Sequence, residues 1–124
     1  MKQKFLKCNR CGNIIAMVHE SGVTPVCCGE KMGELVPGTV EASVEKHVPV
    51  YRVEGNRVMV TVGSLAHPMA EEHYIEWVSL STKFGNQRKL LAPGSAPEVC
   101  FSICEGDAVE AVYAYCNLHG LWKA

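Results

Sequence analysis

The stretch HVPVYRVEGNRVMVTV, residues 47–62, decides the fold class. Its first half is an apolar, β-branched run, and Glu54-Gly55-Asn56 is a turn signal. The second half alternates, so that Val58, Val60 and Val62 share one face. Residues 47–62 are therefore predicted to form a β-hairpin.

Further strand signals follow at short, regular spacing. Apolar or alternating segments, each bounded by a turn signal, occupy residues 73–82, 88–91, 98–103 and 108–115. No stretch of a dozen residues has a helical period, although the segment around Glu71 and Glu72 could hold one helical turn. Many short strands at this spacing predict an all-β protein built on an immunoglobulin-like β-sandwich.

Composition narrows the class of protein. The chain has 124 residues and a formal net charge of −1, so it lacks the basic field of a nucleic-acid-binding protein. The longest apolar run, residues 14–18, is too short to span a membrane. The basic start, residues 1–7, lacks the apolar core of a signal peptide, and we expect a cytoplasmic protein.

The cysteines divide the chain. Four of the seven lie in the first 28 residues, and the next one is Cys100. Pro37-Gly38 follows this cysteine-rich part. We therefore predict a small domain over residues 1–36 and the β-sandwich over residues 37–124.

The first domain contains a four-thiolate pattern, formed by Cys8, Cys11, Cys27 and Cys28. A Cys-x2-Cys pair closed by Gly12 suits a metal-binding knuckle, and four thiolates favour tetrahedral iron or zinc. Two disulfides are the alternative, and the spacing does not choose between iron and zinc. If Cys27 and Cys28 lay on one strand they would point to opposite faces, and binding one metal would be distorted.

The second domain carries a second set of metal-ligand residue types: His47, His67, His73, Cys116 and His119. His47 and His73 are each expected to open a strand, and Cys116-x2-His119 has knuckle spacing. Strand ends and loops gather at one end of a sandwich, so these residues can converge. Four imidazoles and a thiolate are too many for tetrahedral zinc and suit five-coordinate iron with one open position.

Both ligand sets resemble those of known proteins. The adjacent pair Cys27-Cys28 after Cys8-x2-Cys11 resembles desulforedoxin, a small rubredoxin-like iron module. The second domain resembles the superoxide reductases in four motifs: EKHVPV at 45–50, GS-x-AHPM at 63–69, HYI-x-W at 73–77 and CN-x-HG-x-W at 116–122. The whole chain is similar to their two-iron form, the desulfoferrodoxin family.

The resemblance implies two irons per chain. One is a rubredoxin-like centre on the four N-terminal cysteines. The other is a catalytic iron with four histidines in a plane and the Cys116 thiolate on the axis. The resemblance further implies that Glu45 fills the sixth position of ferric iron and that Lys46 faces the open site. The implied reaction is one-electron reduction of superoxide to hydrogen peroxide, with electrons from a rubredoxin-type donor, in a homodimer.

Two other functions remain open at this point. The chain could be an electron carrier with two closed metal sites, or a zinc-stapled binding module. Reducing superoxide needs a one-electron metal, which zinc is not. Cys100 and Cys104 lie outside both ligand sets, and on one strand they would be about 13 Å apart, too far for a disulfide.

Overall fold

The regular secondary structure of the chain is nearly all short antiparallel strands, seen in a computed structural model that describes residues 3–124. Met1 and Lys2, the start of the predicted first domain and of the basic N-terminal stretch, lie outside the described residues. One compact unit ends at Val36 and the other begins at Pro37. The elements, in chain order, are β1 Phe5–Lys7, β2 Ile14–Ala16, β3 Val26–Cys27, β4 Glu30–Lys31, β5 Gly33–Glu34, α1 Val44–His47, β6 Pro49–Glu54, β7 Arg57–Val62, β8 Ile75–Thr82, β9 Gly85–Leu90, β10 Glu98–Ser102, β11 Val109–Cys116 and β12 Gly120–Lys123.

The N-terminal unit has very little core. Its strands form a three-stranded sheet, in the order β2-β1-β5, and the small hairpin β3-β4. Its buried apolar residues are Phe5, Leu6, Cys8 and Met32. Apolar burial on this scale does not stabilise a domain of about 35 residues, so the unit needs a metal or another cross-link.

The C-terminal unit is the predicted β-sandwich. One sheet has the order β10-β7-β6 and the other the order β12-β11-β8-β9. The predicted hairpin is present as β6 and β7, and Gly55 supplies the positive φ of its two-residue turn. The core between the sheets includes the predicted face Val58, Val60 and Val62. The all-β sandwich class is thus confirmed.

Two local predictions around the second ligand set are wrong. His47 does not open a strand but ends the helical turn α1, because Pro49 cannot continue a helix and β6 begins there. The segment at Glu71 and Glu72 is not helical. It is a tight turn closed by paired backbone bonds between Ala70 and His73, so β8 begins at Ile75 rather than at His73.

The loop after β7 packs against α1 with almost no space between the two backbones. A Cβ added at Gly63 would lie 2.6 Å from the Glu45 carbonyl oxygen and 2.9 Å from the Val48 carbonyl oxygen. The Glu45 carbonyl accepts hydrogen bonds from the Leu65 backbone N–H at 3.0 Å and the Ser64 hydroxyl at 3.2 Å. This contact fixes α1, which carries the first histidine of the second ligand set.

Within residues 3–124, no helix has the length and apolar character needed to cross a membrane.

Candidate metal centres

The four N-terminal cysteines converge on one point. Their sulfur atoms all lie within 4.8 Å of one another. Cys11 Sγ is 3.6 Å from Cys27 Sγ, and Cys27 Sγ is 3.9 Å from Cys28 Sγ. Four sulfurs bound tetrahedrally at about 2.3 Å from one metal lie about 3.8 Å apart, so the site fits a tetrahedral metal. All seven cysteines lie within the described residues and are free thiols, so the structure favours a metal site over two disulfides.

A left-handed residue explains how adjacent cysteines can share a metal. Cys27 ends β3, and Cys28 follows in the turn with φ +53°. The two residues are therefore not on one extended strand, and the expected distortion does not arise. Two backbone N–H groups, those of Arg10 and Cys11, donate to Cys8 Sγ at 3.4 Å each. The Cys-x2-Cys turn thus points its peptide dipoles at a thiolate.

The cysteine pKa values diverge within this cluster. The backbone N–H of Cys11, followed by that of Arg10, lowers the pKa of Cys8 to about 6 because both stabilise the thiolate. The neighbouring sulfur of Cys11, then those of Cys8 and Cys27, raises the pKa of Cys28 to about 12. Without a metal the cluster therefore keeps protons, and metal binding has to release them.

The second set converges at the end of the sandwich where α1, the loops after β7 and before β8, and the turn after β11 meet. Ligand atoms of His47, His67, His73 and Cys116 all lie within 4.8 Å of one another. His119 adjoins them, with its Nδ1 3.1 Å from His47 Nε2 and 3.8 Å from Cys116 Sγ. The structure therefore brings together all five residues predicted from the sequence.

The four imidazoles form a closed ring, in the order His47, His67, His73, His119. Successive ring centroids are 4.6, 4.7, 5.1 and 4.9 Å apart, with interplanar angles between 78° and 86°. The opposite pair, His47 and His73, is separated by 6.4 Å. Each ring therefore presents an edge toward a common centre.

Backbone carbonyls fix which ring nitrogens face that centre. His47 Nδ1 lies 2.6 Å from the Ser43 carbonyl oxygen, and His67 Nδ1 lies 2.7 Å from the Pro68 carbonyl oxygen. Carbonyls only accept, so both Nδ1 atoms carry the proton and both Nε2 atoms present lone pairs. These two Nε2 atoms are nevertheless 3.1 Å apart. Two lone pairs do not hydrogen-bond to each other, so this contact needs a third partner.

A metal ion supplies that partner. Nitrogens bound at right angles to one metal at about 2.1 Å lie about 3.0 Å apart, close to the 3.1 Å observed for His47–His67 and for His47–His119. His73 Nε2 is also buried with no hydrogen-bond partner among the described residues. Imidazoles and one thiolate suit a redox-active transition metal, so the residues fit iron.

Burial keeps this site at low charge. It lowers the pKa values of His47 and His73, and it lowers that of His67 to about 4. Burial raises the pKa of the Cys116 thiol, and backbone N–H groups of Leu118 and His119 oppose that effect. His47, His67 and His73 are thus neutral near pH 7 and ready to bind a metal, whereas the Cys116 thiol needs the metal to lose its proton.

The two predicted catalytic residues lie on α1. Glu45 and Lys46 precede His47 directly, and both side chains are exposed. After burial, the charge of Lys46 is among the influences that lower the pKa of His47 and of His73. Its ammonium group is therefore close enough to act on the site electrostatically.

Three supporting contacts have no clear signal in the sequence. The Trp122 ring lies 4.9 Å from the His47 ring, and its Nε1–H donates to the His119 carbonyl oxygen at 3.1 Å. The Ser43 carbonyl orients His47, and the Asn117 side chain joins two ligand-bearing segments. Asn117 and Trp122 lie inside a recognised motif, but their partners become visible only in three dimensions.

Comparisons with known proteins agree with this arrangement. The sequence model described as "Desulfoferrodoxin" matches residues 39–124, and that described as "Desulfoferrodoxin, N-terminal domain" matches residues 1–35. The desulfoferrodoxin of Nitratidesulfovibrio vulgaris is 50% identical over 121 residues, covering 98% of this chain and 94% of that protein. The desulfoferrodoxin of Syntrophotalea carbinolica is 44% identical over 123 residues, covering 99% and 96%.

A solved structure is similar along its whole length. The superoxide reductase from Treponema pallidum superimposes with a TM-score of 0.85 at 41% sequence identity, covering 100% of this chain and 99% of that chain. The two donor sets of the structure accordingly fit two iron centres per chain. With both family models matched and relatives similar over nearly the full length, the chain belongs to the desulfoferrodoxin family.

Proposed function

We propose that this protein is a superoxide reductase, which reduces superoxide by one electron, with two protons, to hydrogen peroxide. The observation that carries the proposal is the closed ring of four imidazoles around a centre that Cys116 also faces. Relatives from Thermococcus kodakarensis and Pyrococcus horikoshii, 34% and 36% identical over 64% of this chain and 84% of each relative, are superoxide reductases.

The ligands of the catalytic iron are, in this proposal, His47, His67, His73, His119 and Cys116. Bound ferrous iron supplies the electron, a role that zinc, with no redox chemistry, does not fill. The neutral imidazoles add no charge to the site, and the thiolate donates electron density to it, as axial thiolates do in haem enzymes. The N-terminal cysteines Cys8, Cys11, Cys27 and Cys28 hold the second iron in a separate domain, residues 1–36, beside the catalytic domain, residues 37–124.

Lys46 and Glu45 act at the entrance of the catalytic site. Superoxide is an anion, and the exposed Lys46 ammonium attracts it in a chain whose net charge is slightly negative. The Glu45 carboxylate would serve as a further ligand to the iron in its oxidised form. Because both residues are exposed, solvent reaches this side of α1 and can supply the two protons.

The electron donor is a small rubredoxin-type protein, and the working form is a homodimer in the cytoplasm. The donor and the dimer follow from the family resemblance. The cytoplasm suits a chain whose seven cysteines are free thiols, five of which are placed to bind metal.

Metal analysis with a visible spectrum tests the proposal against its alternatives. Two irons per chain and two thiolate-to-iron absorption bands are expected, whereas a zinc-stapled binding module would be colourless. The absorption band of the iron at the second site, bound by the four histidines and Cys116, should shift when azide or cyanide is added. A second-site band that is indifferent to both anions in the parent and also in Glu45→Ala, where the carboxylate no longer competes, would indicate a closed electron carrier and would contradict the proposal.

A further inference from the structure

One side-chain amide joins the two segments that carry three of the five proposed ligands of the second site. Asn117 Oδ1 accepts a hydrogen bond from the Tyr74 backbone N–H at 2.9 Å, and its Nδ2 donates to the Glu72 carbonyl oxygen at 3.0 Å. The backbone N–H of Asn117 donates to the Tyr74 carbonyl oxygen at 3.2 Å. Glu72 and Tyr74 are the two neighbours of His73, and Asn117 itself follows Cys116. The Asn117 amide therefore holds the backbone on both sides of His73 to the segment that carries Cys116 and His119.

These hydrogen bonds lie next to the point where the pairing of β8 with β11 becomes irregular. Along the β8–β11 ladder Tyr115 faces Trp77, but Cys116 faces Ile75, so the register shifts and Glu76 has no opposite residue. Such a bulge interrupts ladder hydrogen bonding and changes the direction of the bulged strand. Beyond it, the main chain and side chain of Asn117 supply the hydrogen bonds that a continuing ladder would have made to residues 72–74.

His73 depends on its backbone for its position more than His47 and His67 do. The rings of His47 and His67 are each held by a hydrogen bond from Nδ1 to a backbone carbonyl. His73 Nε2 is buried without a hydrogen-bond partner among the described residues. What sets the position of this ring is its backbone, which the Ala70–His73 turn holds on one side and Asn117 holds on both flanks.

We propose that Asn117 is the positioning residue for His73, keeping that imidazole in register with Cys116 and His119 so that all three reach one iron. The inference rests on the proposed function, because it concerns the iron site through which that function works. Asn117 touches neither substrate nor ligand atoms in this role. It sets iron affinity and ligand geometry through the backbone of residues 72–74.

The test compares three full-length variants with the parent protein, each loaded with iron. Asn117→Ala removes both side-chain bonds. Asn117→Asp keeps the shape and the acceptor for the Tyr74 N–H but loses the donor to Glu72. Gln87→Ala is the matched control, because Gln87 Nε2 also donates to a backbone carbonyl, that of Ser102 at 2.8 Å, from a strand with no proposed ligand. Ferrous ion is partitioned against a chelator of known affinity, and the ferric spectrum is recorded.

We expect Asn117→Ala to weaken ferrous binding at the second site by about tenfold or more, as is typical when a partner of a metal ligand is removed. Its ferric thiolate band should shift, while the band of the four-cysteine iron stays constant as an internal reference. Asn117→Asp should also weaken binding. The added negative charge alone would strengthen binding of a cation. Weaker binding in this variant would therefore show that His73 is no longer held in position. Gln87→Ala should match the parent in both measurements.

Parent-like affinity and spectrum in Asn117→Ala would overturn the inference. If that variant fails to fold, as shown by its far-ultraviolet circular dichroism, parent-like or tighter binding in Asn117→Asp would overturn it instead. Neither measurement uses superoxide. If the parent does not reduce superoxide but Asn117→Ala weakens iron binding at the second site, the proposed function fails and the positioning role stands. If the parent does reduce superoxide and the variants bind iron as it does, the positioning role fails alone.

Discussion

Replacing Gly63 by alanine should disturb the catalytic site without touching a ligand. The added Cβ would lie 2.6 Å from the Glu45 carbonyl oxygen, 2.9 Å from that of Val48 and 3.0 Å from the Lys46 carbonyl carbon. All three are backbone atoms, so no side-chain rotation relieves the contact. An ordinary contact begins at 3.4 Å, so the Glu45 carbonyl has to move by about 0.8 Å. That movement shifts α1 and, with it, His47.

Two magnitudes follow from this displacement. Overpacking of this kind costs roughly 1–3 kcal/mol, which lowers the melting temperature of a domain this size by about 5 °C or more. A misplacement approaching 1 Å can reduce a rate by up to about 100-fold where geometry is critical. The Gly63→Ala variant should therefore show a lower melting temperature, an altered ferric band at the second site and slower oxidation of ferrous iron by superoxide.

Gly33→Ala is the matched control for this substitution. Gly33 and Gly63 are the two glycines without a positive φ, and a Cβ at Gly33 meets its nearest atom, Asn9 Nδ2, at an ordinary 3.7 Å. The control should keep the parent spectrum of the second site and the parent rate. If Gly63→Ala behaves like Gly33→Ala in melting, spectrum and rate, then the close backbone contact does not position α1 and our reasoning is wrong.

Four further predictions concern single residues. Cys11→Ser should remove the four-thiolate iron but leave superoxide reduction largely intact; loss of activity with the second iron still bound would contradict separate centres. Glu45→Ala should change the ferric band and ease azide binding while barely slowing ferrous oxidation, as stopped-flow traces would show. Lys46→Ala should slow the reaction by about tenfold and flatten its decline with salt, since a nearby unit charge is worth roughly 1–2 kcal/mol after screening; parent-like salt dependence would refute this. Burial raises the pKa of Asp107, but hydrogen bonds from the Thr82 hydroxyl and two backbone N–H groups lower it more, to a net decrease. The parent should therefore exceed Asp107→Asn in thermal stability above about pH 4 and lose this advantage as the pH falls further, and equal melting curves at all pH values would contradict it.

Much of the site was predictable because its chemistry lies in short motifs. Cys8-x2-Cys11 and Cys116-x2-His119 carry their ligand spacing in the sequence, and alternation at Val58, Val60 and Val62 indicated a sandwich whose loops meet at one end. The backbone conformation around the ligands was harder to predict from the sequence. His47 lies in a helical turn that single-sequence patterns do not reveal, because four residues are too few to show a period.

The supporting contacts depend on long-range geometry. Asn117 bonds to residues 43 and 45 positions earlier in the chain, and no local pattern encodes such a partner. The left-handed backbone of Cys28 likewise arises from the turn that follows β3, so the sequence alone suggested a distorted pair where the structure has a compatible one. The Asn117 contacts are set by tertiary packing, whereas the left-handed Cys28 belongs to the two-residue turn Cys28-Gly29 between β3 and β4.

The product stoichiometry of the superoxide reaction tests the central claim most directly. Fully reduced parent protein is mixed with a limiting amount of superoxide, and hydrogen peroxide and dioxygen are both measured. Reduction by one electron and two protons predicts one hydrogen peroxide for each superoxide, no dioxygen, and one second-site iron oxidised per turnover. Dismutation would give half a hydrogen peroxide and half a dioxygen per superoxide, and that result, or an iron that superoxide leaves reduced, would contradict the assignment.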